Sequence, residues 1–176
     1  MDILVQAIGV ILIIICAISF FFKKKEHFLI CLIIYNLLVL LLYILQQQIT
    51  ESILTFIGML REIVFFIYEK KNKKPHFVFL ITFEIVFLVS GIITFSSWYS
   101  LLIMVSSLLS TFAQWQSNML VLRIIYAICS ILVITNYACL GFYTSIVAEL
   151  ISFISSIISI FKYHILKKDK KIDNIS

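Results

Sequence analysis

Apolar residues in this chain do not alternate with polar ones. They come in seven long runs, each closed by a short polar segment. The runs cover 3–22, 28–45, 50–68, 77–95, 98–115, 120–140 and 143–163, and the separators read KKKEH, QQQ, EKKNKKPH, SS, QSNM and GF. A helix rises about 1.5 Å per residue, so about 20 mostly apolar residues cross the roughly 30 Å hydrocarbon layer of a bilayer. Each run therefore predicts a transmembrane helix. Only SSW divides the fourth run from the fifth, which leaves a re-entrant pair as the alternative to two full spans. The one proline, Pro75, falls in a separator, where its fixed φ suits the start of a helix.

Composition takes the same direction. The 176 residues are 62% hydrophobic and 13% charged, against about 45–50% apolar and about 25% charged in a soluble domain. A globule of this size has too much surface to hide that excess. Cys16, Cys31, Cys129 and Cys139 lie inside apolar runs without C-x-x-C spacing, and the three histidines are far apart. No disulfide, metal or cofactor is expected from such a pattern. The first run has an acidic leader, MD, and its lysines follow it, so it reads as a retained helix rather than a cleaved signal.

Charge then sets the orientation. Lys23–Lys25, Lys70, Lys71, Lys73, Lys74 and Lys162, Lys167, Lys168, Lys170, Lys171 all share one face of a seven-span protein; the remaining two of the fourteen basic residues, Arg61 and Arg123, are inside runs. Basic loops stay in the cytoplasm. The expectation is an outside N-terminus and a cytoplasmic C-terminus, which a dark C-terminal fluorescent fusion beside an active periplasmic reporter would overturn. The net charge of +5 is thus a matter of topology and lipid headgroups, not of nucleic acid.

Runs one to three and five to seven are spaced alike. A shift of 94 residues lays Ile30 on Ile124, Tyr43 on Tyr137 and Thr50 on Thr144. Three helices plus one linker return the second triplet in the same sense as the first, the parallel-repeat plan of several transporters. The expected organisation is a three-helix bundle over 1–68, a linker helix over 77–95, a second bundle over 98–163 and a basic tail over 164–176.

Away from the run ends, five ionisable residues stand within the runs: Arg61, Glu62, Glu84, Arg123 and Glu149. Such groups usually face the protein interior and serve a function. Arg123 is five residues past Asn118, about 7 Å deep, from where it reaches the surface or an interior partner equally well. Arg61 is nine residues from Lys70, about 13 Å deep, where reaching out is strained. Neighbours on a helix point about 100° apart, so Arg61 and Glu62 are expected to pair across helices, Arg61 with Glu84 or Glu62 with Arg123. Glu149 has no basic residue near its end of the seventh run. It belongs to a stripe with Ser145, Ser152, Ser156 and Ser159, and the fifth run carries another of Ser100, Ser107, Ser110, Thr111 and Gln114. Small polar stripes serve close helix packing or line a wet cavity. Asn136 falls on the far side of the sixth helix from Arg123, Ser130 and Tyr137, within reach of a loop.

These residues resemble those of the YgjV-type bacterial inner-membrane proteins. The similarity covers nearly the whole chain and rests on QAIGVILIIICAISFFFKKK, GMLREIVFF, LSTFAQW and LRIIYAICSILVITNYACLGFYTSIVAEL. Gly9, Arg61, Arg123, Asn136 and Glu149 match the family's polar pattern, while Ser156 and Ser159 stand where asparagines are expected. The helix plan is also similar to the SWEET and PQ-loop group, although no Pro-Gln pair is present.

The sequence reading is an all-α membrane protein of seven transmembrane helices, two parallel three-helix bundles joined by a linker. It is expected to move a small polar solute by rocking of the bundles, with Glu149, Trp115, Arg123 and Asn36 on the substrate and Arg61, Glu62 and Glu84 as a charge network. The alternative is a non-transporting receptor or accessory subunit. No G-x-S-x-G or H-E-x-x-H pattern argues for an enzyme. Partners compatible with this reading are the lipid bilayer, the solute, a second copy of the chain or another membrane protein.

Overall fold

The structure, a computed structural model, describes residues 2–19, 22, 24–116 and 118–161. Seven helices occupy them: α1 (Asp2–Ser19), α2 (Lys25–Leu45), α3 (Ile49–Lys70), α4 (Phe77–Ile93), α5 (Ser100–Trp115), α6 (Met119–Leu140) and α7 (Tyr143–Ile160). No strand occurs among the described residues. The expected tail over 164–176, Lys23 and the lysines of 162–171 lie outside them.

Each helix follows an apolar run to within a few residues, because backbone polar groups that enter hydrocarbon must bond within the segment. The separators supply the stops. Asn118 caps α6, its side-chain oxygen accepting from the Leu120 N–H at 2.9 Å. Gly141 ends the same helix at φ 74°, a left-handed conformation that glycine adopts without strain. Pro75 sits in the loop two residues before α4 rather than inside its first turn. Among the described residues α2, α6 and α7 are long and apolar enough to cross a membrane, and α4 and α5 are shorter apolar helices.

Six of the helices close into a ring. α1 packs on α2, α2 on α3, α3 on α5, α5 on α6, α6 on α7, and α7 returns to α1; α4 stands outside, against α3 and α5. A Cβ on Gly9 would meet the Thr144 hydroxyl at 2.6 Å, so glycine is what lets α1 and α7 approach and close the ring. Polarity runs inside out. Val78, Ile92, Ile93, Ile131 and Leu37 are exposed, whereas Glu51, Arg61, Glu62, Gln114, Arg123 and Glu149 are buried. Lipid as the surrounding solvent accounts for both halves of that arrangement. Hydrophobic clusters rich in aromatic rings pack the ring, one with Tyr43, Tyr137 and Phe142 and another with Phe28, Phe65 and Leu122.

Candidate functional site

α3 carries Arg61 and Glu62 into the middle of the ring, roughly 13 Å from the helix end at Lys70 by the rise per residue. The Arg61 guanidinium donates to the Ser107 carbonyl at 3.0 Å and to the Ser110 and Thr111 hydroxyls at 2.8 Å each. It also donates to Glu62 at 3.3 Å, although the two are adjacent on one helix. The expectation that they cannot pair is therefore corrected: both face the interior, and the arginine is long enough to fold back along the helix. Glu62 accepts further bonds from Asn36 at 2.7 Å and Gln114 at 3.2 Å. Gln114 in turn donates to Tyr126 at 2.5 Å. This network joins α2, α3, α5 and α6 and gives each charge several hydrogen bonds.

Glu149 is a second polar centre. It is 93% removed from solvent (7% exposed), and the Tyr35 hydroxyl of α2 donates to its carboxylate. Ser130 of α6 is close by. Among the described residues no basic group lies within ion-pairing distance of it.

Between these two centres is a cavity of about 130 Å³, bordered by α1, α2, α3, α5, α6 and α7. Its wall includes Asn36, Arg61, Glu62, Ser106, Ser107, Ser110, Ser130, Glu149 and Ser152, with Tyr35, Tyr43, Tyr126 and Tyr137 among the aromatic members. The space holds several waters or a small solute. Arg61 borders the cavity, and its Nε is fully buried without a hydrogen-bond acceptor.

The profile of a family described as bacterial inner membrane proteins, YgjV type, matches residues 3–167. The chain belongs to that family. No curated protein and no solved structure matches it.

In this YgjV-type protein the residues singled out in the sequence divide sharply. Asn36, Arg61, Glu62 and Glu149 meet around the cavity. Trp115 does not; its Nε1 donates to the Pro75 carbonyl at 3.1 Å and its ring lies 3.9 Å from the Lys74 Nζ, at the loop end of α5. Arg123 is not part of the cavity wall either. It donates to the backbone carbonyls of Phe22 and Ser159, at 3.2 and 3.4 Å, and ties α6 to the ends of α1 and α7. Neither interhelical ion pair forms, because Glu84 rides on α4 outside the ring, half-buried, and Arg123 turns to carbonyl oxygens. Asn136 bonds a loop as expected, donating to the Tyr99 carbonyl at 3.1 Å before α5, and it is fully buried there. The serine stripes split too: Ser107, Ser110 and Ser152 border the cavity, whereas Ser145, Ser156 and Ser159 are packed between helices.

Sequence reasoning missed Tyr35, the hydroxyl partner of Glu149, and two buried charges near run ends. Lys25 donates to the Gln114 and Gln116 carbonyls at 2.6 and 2.9 Å and lies 3.6 Å from Glu69, so it neutralises the carbonyl end of α5. Glu51 accepts from Ser100 at 2.7 Å at the opposite end. The available signal for Tyr35 was its place on the face of α2 next to Asn36 and one turn from Leu32 and Val39.

Proposed function

We propose that this inner-membrane protein is a small-solute transporter or facilitator whose solute occupies the cavity between Glu62 and Glu149. The observation that carries this reading is a cavity in the interior of a membrane protein, walled by six helices and bordered by Asn36, Arg61, Glu62, Glu149 and several serines. Hydrocarbon surroundings make such a polar interior costly, and it persists where a polar guest or a path is needed.

The finer architecture belongs to the same proposal. All seven helices cross the membrane, with α1–α3 and α5–α7 as two parallel bundles and α4 as the linker. Exchanging the two triplets, by a shift of 94 residues forward for α1–α3 and back for α5–α7, carries every contact of the ring onto another contact of the ring, α1–α2 onto α5–α6, α2–α3 onto α6–α7 and α3–α5 onto α7–α1, which supports this reading. The guest would sit at the junction of the two bundles, where rocking opens alternate sides. The basic residues of the loops support a cytoplasmic C-terminus, and the reporter pair named above tests it. Binding and release, with no bond made or broken, is the whole of the proposed chemistry.

The test is a thermal-stability screen of the detergent-purified protein against sugars, nucleosides, vitamins, amino acids and amines. A guest that binds only the native state raises its melting temperature. The expected result is a hit that is lost in Asn36→Ala, followed by saturable uptake of that compound into proteoliposomes. A hit that is never taken up would replace transport with a receptor role. No hit at all would turn attention to an accessory subunit.

A further inference from the structure

Three formal charges border the cavity: Arg61, Glu62 and Glu149. Arg61 and Glu62 form a pair, and both are held by further hydrogen bonds. Glu149 is the excess. Its protein partners are neutral hydroxyls, those of Tyr35 and Ser130, although a carboxylate can accept about four hydrogen bonds. The titratable groups that face it are Tyr35 and Tyr43 from α2 and Cys129 and Tyr137 from α6; α1 brings none among its described side chains. Across the cavity α3 offers the already paired Arg61 and Glu62, so none of these groups supplies a free positive charge.

An isolated carboxylate in a low-dielectric interior is strongly unfavourable and is neutralised by whatever positive species can reach it. Two species fit: a proton, or the head of a cationic guest. Tyrosine rings in the wall favour the second further, because the ring quadrupole attracts ammonium groups. An anionic guest would meet the uncompensated acid.

We propose that Glu149 binds the ammonium group of a small organic cation, and that a proton competes with that cation for the same carboxylate. This inference rests on the solute-cavity reading above and narrows it to a substrate class. Since the two occupants exclude each other, the cavity is cationic-guest-loaded or protonated, and the exchange of one for the other couples the solute to the proton gradient. No bond other than the O–H of the carboxyl forms or breaks.

The experiment measures the melting temperature of the purified protein in a maltoside detergent between pH 5.5 and 8.5, with ethylammonium or tetramethylammonium chloride. Propanol and propionate are the neutral and anionic controls. The expected result is stabilisation by the cations alone, weakening as pH falls, with the apparent Kd rising about tenfold per pH unit on the acid side and levelling on the alkaline side. Glu149→Gln should abolish the effect, and Tyr35→Phe should weaken it. A second measurement needs no variant: adding ethylammonium to the weakly buffered wild-type protein at acid pH should release about one proton per chain, read with an indicator dye. Cations that stabilise Glu149→Gln equally, or bind with no pH dependence and no proton release, would overturn the proposal. Stabilisation by neutral solutes in place of cations would overturn it while leaving the cavity reading intact. If no cation binds and the wider screen is also silent, both readings fall together.

Discussion

Arg61 and Glu62 sit side by side on α3, in a position where hydrocarbon would reject either one alone. Their six hydrogen-bond partnerships to α2, α5 and each other replace the water they give up. Removing one partner leaves the other buried and uncompensated, which costs about 3–5 kcal/mol in comparable pairs. Arg61→Ala should therefore lower unfolding stability by about that amount, and Arg61→Ala with Glu62→Gln should recover a large part of it. Chemical unfolding in detergent measures both; a harmless Arg61→Ala would mean that the pair is hydrated and contributes little. At this scale the sequence revealed which residues were anomalous but not whom they meet. Depth along a helix identified Arg61 and Glu62 as interior, and the lack of a basic neighbour beside a serine stripe singled out Glu149. Partner choice depends on rotation and on which helices adjoin, so Trp115 and Arg123 were assigned to a site that they do not border. Lys25 and Glu51 were passed over because ends of runs normally face water, and here neighbouring helix ends cover them.

Helix boundaries were the most legible feature, since a run of hydrocarbon-compatible residues and a polar stop are both local properties. Helix neighbours are not local. Every run is apolar; α4 is the most hydrophobic of the seven, but α1 comes next and is a ring member, and the small polar residues plentiful on α5 and α7 are as sparse on α1 and α2 as on α4. Closure of the ring depends on one contact in particular. At Gly9 an added Cβ would stand 2.6 Å from the Thr144 Oγ1 and 2.8 Å from its Cβ. Gly9→Ala should lower stability by about 1–3 kcal/mol, as overpacking does. Thr144→Gly should relieve it, because Thr144 is the second residue of α7, where a helix tolerates glycine well. The melting temperatures of the single and double variants check this. Equal stability of Gly9→Ala and the parent would show that α1 is free to shift and that the contact does not close the ring.

Across the whole molecule, six helices surround a cavity with α4 outside, and the contents of that cavity are asymmetric. The 94-residue shift pairs Tyr43 with Tyr137, whose rings pack 6.2 Å apart, and Asn36 with Ser130, both on the cavity wall. It pairs Arg61 and Glu62 with Ser155 and Ser156, so only one half supplies the charge pair. The other half supplies Glu149. Under the proposed two-bundle reading, the residues that the shift leaves unmatched are the ones that give the cavity its charge. The central claim, that this cavity is wet and the outer face is not, can be tested with a pair of adjacent residues. Ser130 borders the cavity and is 3% exposed, whereas Ile131 is 53% exposed on the outer surface. In a background with the four native cysteines replaced, Ser130→Cys and Ile131→Cys would be exposed in isolated membranes to a small water-soluble trimethylammonium methanethiosulfonate. Such reagents need a thiolate, which forms in water and not in lipid. The expected result is labelling of Ser130→Cys, slowed by a bound solute, with Ile131→Cys inert. Labelling at Ile131→Cys with Ser130→Cys silent would contradict the cavity and the inside-out arrangement together.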